Sequence, residues 1–331
     1  MNPKVTIIVP VYNTAKYLKA CIESLKKINF KSYEVILIDN RSTDSSYEIL
    51  KKINRKNFKI YRNKKNFGQS YSLNRAISIS KSQFIAIMDS DDICLPNRIK
   101  ESYEFLVKNN QYGFVSGCSD TINEAGSILA KRRFTLDFEL IKLRILTENP
   151  ISHTTVMFRK SILKKEFYSK KFKYAQDYDL FSKLILNGCK VKVLNKKLTL
   201  VRKHNKQQSQ KFSNKQLQER LEISCRNISH ITKIDNYTKS LIKFIIFNEC
   251  KIFEKISVKK KVEIFENFLT KTFRSDIDRL YFCSLIFSRK NKFKRSFKLN
   301  FLIKYLRKST LIKIKKEIFL RVIASFFYTI F

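Results

Sequence analysis

Short apolar runs alternate with amphipathic stretches through the opening quarter of the chain, and few folds accommodate that alternation. Val5–Pro10, Tyr33–Ile38 and Phe84–Met88 are almost continuously apolar, as expected of strands buried on both faces. Lys59–Arg62 reads as a further short strand. Between them, Ala15–Lys27 sets Leu18, Cys21, Ile22 and Leu25 on one helical face. Ser45–Asn54 and Tyr71–Ser80 also read as helices, the first with Ser42, Thr43 and Asp44 as caps. This spacing predicts an open, mostly parallel α/β sheet. Such sheets bind ligands beyond the carboxyl ends of their strands. The polar clusters Tyr12-Asn13, Asp39-Asn40 and Asp89–Asp92 all fall there.

Composition narrows the partners. Apolar residues make up 44% of the 331, too many for a disordered chain. That length allows two domains, or one with an appendage. Five glycines and four prolines exclude collagen-like and low-complexity chains. Lys and Arg number 68 against 28 Asp and Glu, a net +40. So basic a surface seeks nucleotides, nucleic acid or acidic lipid. The seven cysteines include no Cys-x-x-Cys pair, which fits a reducing cytosol better than a disulfide framework or zinc cluster. Met1–Asn13 does not read as a signal peptide, and no apolar run of about 18 residues suggests a membrane span.

Against that background the acidic cluster Asp89-Ser90-Asp91-Asp92 stands out. Three carboxylates in four residues repel one another and need a counter-charge. A divalent metal bridging a diphosphate supplies one, because hard cations take oxygen ligands. A second reading is capping, with Ser90 or Asp92 starting the helix Pro96–Lys108. Both can hold. Asp39–Asp44 offers a carboxylate to a base or ribose, or forms a polar turn.

Taken in order, these segments resemble the family-2 glycosyltransferases, which have the GT-A fold, a Rossmann-like nucleotide-diphospho-sugar transferase domain. The family's opening is matched by Ile8–Asn13, its second-strand acidic segment by Asp39–Asp44, and its Asn-x-Gly by Asn66-Phe67-Gly68. Its Asp-x-Asp-Asp is matched by Asp89–Asp92 with Pro96 following, and its Glu-Asp-x-Asp-Leu by Gln176–Leu180. The resemblance covers about residues 3–210. It implies that Pro10, Tyr12, Asp39 and Asn40 hold the nucleoside of the donor, expected to be a UDP-sugar. It implies that Asp91 ligates Mn²⁺ or Mg²⁺, with Asp89 completing the donor and metal site. Asp177 would be the base that deprotonates the acceptor hydroxyl, with inversion at the anomeric carbon. His204, in Arg202-Lys203-His204, would reach the diphosphate or metal, and His153 would lie on the acceptor side.

Two positions depart from the family. Asn40 stands where many members have Asp, and its carbonyl can still accept from a base N–H. Gln176 stands where Glu is common, which lowers the local negative charge. Asp179 is the rival base, but on one helix it points away from Asp177.

The expected division is a GT-A catalytic domain over 1–210 and a basic amphipathic helical region over 211–331. The second is rich in lysine between Leu, Ile and Phe. It reads either as a region packed on the domain or a second subunit, or as one lying on an anionic bilayer, with Leu311–Phe331 in the interface. No zinc-finger or RNA-recognition signature accompanies the charge, so nucleic acid is not an expected partner. The expected task is addition of one sugar to a glycan or lipid-linked acceptor in polysaccharide or lipopolysaccharide synthesis. The expected place is the cytoplasm, peripheral to the inner face of the cell membrane. The competing readings are a non-enzymatic basic binder with an inactive nucleotide fold, and a nucleotidyltransferase.

Overall fold

The computed structural model describes residues 2–131, 137–163, 167–205, 207, 212–231, 233, 234, 236, 239 and 243. The proposed interfacial segment Leu311–Phe331, Cys250, Cys283 and most of the basic region lie outside the described residues. The chain divides into two compact units. One comprises Met1–Phe138 with Asn149–Gln216, the other Glu139–Glu148 with Leu217–Phe331.

The first unit is built on a nine-stranded sheet. Its strands are β1 (Val5–Val11), β2 (Tyr33–Asp39), β3 (Phe58–Arg62), β4 (Phe84–Ile87), β5 (Ile93–Cys94), β6 (Tyr112–Ile122), β7 (Ile128–Ala130), β8 (Met157–Arg159) and β9 (Lys190–Arg202). The order is β3-β2-β1-β4-β8-β6-β9-β5, with β7 on β6. The helices are α1 (Ala15–Lys26), α2 (Ser46–Lys51), α3 (Gln69–Ile79), α4 (Arg98–Lys108), α5 (Phe138–Arg144), α6 (Gln176–Leu186) and α7 (Ser213–Ser229).

Every residue of β1, β2 and β4 is buried, which is why these segments read as unbroken apolar runs. On α1 the inward face carries Leu18, Cys21, Ile22 and Leu25, as the spacing predicts. The expectation of a mostly parallel sheet holds for only part of it. β1, β2, β3 and β4 are mutually parallel. Beyond β4 the sheet is mixed, because β8 runs antiparallel to both β4 and β6, while β6 and β9 are parallel. β5 runs antiparallel to β9. The close approach of β9 to β6 needs Gly117, where a Cβ would stand 2.5 Å from Leu198 Cδ1.

The link from β4 to β5 bends the sheet. Only Met88–Asp92 joins them, yet β8, β6 and β9 lie between. On a flat sheet that gap is about 19 Å, close to the full reach of ~20 Å for six extended steps. The link is not extended, since Asp92 N–H donates to the Asp89 carbonyl at 3.3 Å. The sheet therefore curls and brings β5 against α1. There Cys94 N–H donates to Ser24 Oγ at 3.0 Å, and Asn29 N–H to the Pro96 carbonyl at 2.8 Å.

The capping reading of the acidic cluster is corrected. Helix α4 starts at Arg98 behind Asn97, with no side-chain cap. Ser90 Oγ instead accepts from Thr14 Oγ1 at 3.0 Å, and Asp92 Oδ1 from the Arg202 main-chain N–H at 2.8 Å. In the second unit Ile223 and Ile228 of α7 are buried, and Asn227 Nδ2 donates to the Ile145 carbonyl at 2.8 Å.

Candidate active site

The site starts where β1 and β4 part. The Ile8 carbonyl accepts from Met88 N–H at 2.9 Å, and the Val11 carbonyl from Asn40 N–H at 2.8 Å. Main-chain groups alternate sides along a strand, so Pro10 faces β4 just past the last pair, Ile8 with Ile87. A missing N–H is tolerated there. The strand order also changes direction at this point, which opens the crevice that ligands use in such sheets.

The loops after β1 and β2 hold each other. Asn13 and Arg41 are both left-handed, with φ of 53° and 63°, a conformation Asn tolerates better than Arg. Asn13 Oδ1 accepts from Thr43 N–H at 2.8 Å, and Asn13 N–H donates to Ser42 Oγ at 3.1 Å. Asp44 accepts from Ser46 N–H at 2.9 Å and from Ala15 N–H at 3.0 Å, so one carboxylate caps the starts of both α2 and α1. Burial pushes its pKa up, but these hydrogen bonds outweigh burial and hold it below the usual range.

Asp39 is fully buried. It accepts from Ser42 N–H at 3.1 Å and pairs with Arg62 Nε at 2.9 Å. Asn40 is buried too, and its carbonyl oxygen already accepts twice, from Asn63 Nδ2 at 2.9 Å and Phe67 N–H at 3.1 Å. The spare lone pair expected for a base N–H is therefore spent within the chain. Asn40 Nδ2 also donates to Asn66 Oδ1 at 2.7 Å, clasping the Asn66-Phe67-Gly68 turn to β2. Gly68 has a φ of 89°, which favours glycine. Two aromatic rings stay open beside these loops, Tyr12 at 41% exposed and Phe67 at 42%.

The acidic loop meets partners from distant parts of the chain. Asp89 Oδ1 lies 3.6 Å from His153 Nδ1 and accepts from Gln69 Nε2 at 3.4 Å. His153 Nε2 lies 3.0 Å from the Tyr168 hydroxyl. Burial lowers the His153 pKa, but attraction to Asp89 and then Asp177 outweighs it and leaves the imidazole raised. Asp91 Oδ2 lies 2.9 Å from His204 Nε2, and the His204 ring lies tilted against Tyr17 at 4.6 Å between ring centroids. Asp92 is buried. Burial first, then the charges of Asp91 and Asp89, push its pKa well up. Arg202 closes the loop from behind. Its guanidinium donates to the carbonyls of Asp91 at 3.1 Å, Asn123 at 3.0 Å and Glu124 at 2.8 Å.

Helix α6 brings the remaining group. Gln176 Nε2 donates to Gln69 Oε1 at 2.9 Å. Asp89, Gln69 and Gln176 thus form one hydrogen-bonded link between the end of β4 and the start of α6. Asp177, next in sequence, is partly exposed and accepts from Asn149 Nδ2 at 2.8 Å. Asp179 is fully buried and pairs with Lys183 at 3.0 Å. Of the two candidate bases, Asp177 is the one with open access.

The side chains suit a divalent cation in kind. Among the described residues no group of three His, Cys, Asp or Glu converges as a metal cage. Asp91 with His204 offers a carboxylate and an imidazole in contact, and His204 Nδ1 is buried without a partner among the described residues. Asp89 stands on the same loop with its side chain 29% exposed. One or two carboxylates, with the rest supplied by substrate phosphate and water, is how Mg²⁺ is commonly held. Gln69 and Asn149 lie in no motif of the sequence, and Arg202, though part of the Arg202-Lys203-His204 stretch, is given no role of its own there. Their partners lie 107, 28 and 111 residues away.

Comparison with known proteins gives the family and the fold. Residues 6–167 match the model of the family described as Glycosyl transferase family 2. An uncharacterised glycosyltransferase of Methanocaldococcus jannaschii is 31% identical over 210 residues, 62% of this chain and 72% of that one. The O-antigen biosynthesis glycosyltransferase WbnJ of Escherichia coli is 31% identical over 192 residues, 56% of this chain and 72% of its own. Among solved structures, S. aureus TarS 1-349 in complex with UDP-GlcNAc superposes with a TM-score of 0.59 at 19% identity, covering 92% of this chain and 90% of that one. The fold is the GT-A α/β fold.

Proposed function

The chain belongs to the family-2 glycosyltransferases, and on that premise we propose that it moves a sugar from a UDP-sugar to a glycan or lipid-linked acceptor of a surface polysaccharide or lipopolysaccharide. The O-antigen role in the name of WbnJ and the UDP-GlcNAc bound to TarS support that choice of acceptor and donor. The observation that carries the reading is the Asp89–Gln69–Gln176 link, which ties the expected donor loop to the helix bearing Asp177.

In this reading Pro10, Tyr12, Asp39 and Asn40 frame the nucleoside. Tyr12 has the exposed face for stacking, while Asp39 and Asn40 hold the surrounding loops. Asp91, with His204 and Asp89, would hold the Mn²⁺ or Mg²⁺ whose charge neutralises the departing diphosphate. Asp177 takes the proton of the acceptor hydroxyl as that oxygen attacks the anomeric carbon. The bond from that carbon to UDP breaks in the same step, and the configuration inverts. Asn149 orients the Asp177 carboxylate. No helix among the described residues is long and apolar enough to cross a membrane. We place the enzyme in the cytoplasm at the inner membrane face, a reading supported by the basic composition of 211–331.

The test is thermal unfolding with UDP, GDP, CDP or dTDP, each with and without Mn²⁺. A ligand at about 100 times its Kd stabilises by ~2.7 kcal/mol. The expected result is a shift with UDP that needs Mn²⁺ and disappears in Asp91→Ala. A shift with another nucleotide alone changes the donor, and no shift in folded protein overturns the reading.

A further inference from the structure

Arg98 is the bulkiest fully buried side chain among the described residues, at 1% exposed. It stands at the first position of α4. Its Nη1 donates to Met88 Sδ at 3.1 Å and lies 4.0 Å from Cys94 Sγ, and its Nη2 donates to the Ile87 carbonyl. All three partners are neutral. A guanidinium does not give up its proton, and a buried charge is strongly unfavourable without an opposite charge to compensate it.

The adjoining loop carries the opposite charge. Asp89 follows Met88 directly, and Asp91 and Asp92 complete a run of three carboxylates. His153 stands beside Asp89 and His204 beside Asp91, while Asp92 is buried with no ion pair among the described residues. Arg202 supplies a cation on the far side, but its guanidinium bonds are to three backbone carbonyls. Neither guanidinium is hydrogen-bonded to a carboxylate of the loop.

We infer that Arg98 is the built-in counter-charge of the acidic loop. It is a positioning residue that, from beneath the end of β4, holds Asp89, Asp91 and Asp92 together when no cation is bound. Its bearing on catalysis rests on reading this loop as the donor-diphosphate site. The electrostatic claim itself does not. A cluster compensated from within stays formed before substrate arrives, and so needs no reorganisation when the diphosphate binds.

The test is a thermal-unfolding cycle on the full chain in metal-free buffer, with wild type, Arg98→Met, Asp92→Asn and the double variant. Asn keeps an oxygen to accept from Arg202 N–H. Arg98→Met is expected to lower Tm, and adding Asp92→Asn to it is expected to raise Tm again. In the wild-type background Asp92→Asn is expected to lower Tm. That reversal of sign is an electrostatic signature that packing does not produce. Mn²⁺ alone is expected to raise Tm more in Arg98→Met than in wild type, with Arg98→Lys behaving as wild type. Additive effects with equal Mn²⁺ shifts overturn the proposal. If Arg98→Met does not fold, the double variant decides, since recovered folding supports the proposal and continued failure overturns it. The cycle uses no nucleotide, so its outcome is independent of the UDP experiment.

Discussion

The two sides of the sheet contribute to the site in different ways. On the parallel side, β3-β2-β1-β4, short loops lock together through side chain to backbone bonds. Asp39 turns its own loop onto Ser42, Asn13 reaches Thr43, and Asp44 holds the starts of two helices. On the mixed side, β8-β6-β9-β5, the decisive contacts join residues far apart in the chain. Gln176 meets Gln69 across 107 positions, and His204 meets Asp91 across 113. The proposed nucleotide side is thus held by loops that neighbour one another at the sheet edge. The proposed catalytic side depends on contacts across the whole unit.

The comparison breaks if damage to the mixed side weakens nucleotide binding as much as turnover. Asp177→Asn gives the largest expected effect, a loss of at least ~10²-fold in kcat. UDP-dependent thermal stabilisation should stay at the wild-type level. Next comes Gln69→Ala, which cuts the link between β4 and α6. It should lower kcat by about tenfold, equivalent to ~1.4 kcal/mol, while the donor KM changes little. Equal changes in both would place Gln69 in the pocket itself.

Smaller effects sharpen the parallel side. Asp44→Ala should lower stability by about 1 kcal/mol, the usual worth of an N-cap. Because the folded pKa of Asp44 is depressed, the unfolded chain binds its proton more readily. Its contribution is complete above about pH 4 and fades as pH falls through the lower folded value. The Tm difference between wild type and Asp44→Ala should therefore shrink in acid. The smallest effect concerns β9's neighbour Cys189, whose thiol burial pushes up to about 11. At pH 8 it should alkylate far more slowly in folded than in urea-unfolded protein, as read by mass spectrometry.

The same contrast explains what was legible in the sequence. Strands buried on both faces and the α1 stripe follow from local periodicity, and their observed ends lie within about a residue of the expected ones. The polar loops after β1, β2 and β4 were visible because strand–helix alternation puts all three at one edge. The mixed pairing of β8 and β5 was not visible. Strands of two or three residues carry too little pattern to reveal direction. Asn40 seemed free to accept because nothing in the sequence shows that Asn63 and Phe67 N–H take both lone pairs. The Ser90 or Asp92 cap failed for a related reason: Thr14 and Arg202, both distant, claim those oxygens. Helical geometry says only that Asp177 and Asp179 face different ways, the family resemblance favours Asp177, and Lys183 holds the other carboxylate.

The short tie from β4 to β5 has a mechanical consequence. Because Met88–Asp92 could barely span a flat sheet, sheet curvature and the spacing of its carboxylates are coupled. A fluctuation that flattens the sheet must draw the loop straight and pull Asp89 away from Asp91. A ligand seated across those carboxylates resists that stretch, and so stiffens strands it never touches. The edge formed by β5 and β9 then acts as a gauge of occupancy, its amide hydrogens exchanging more slowly when the loop is loaded.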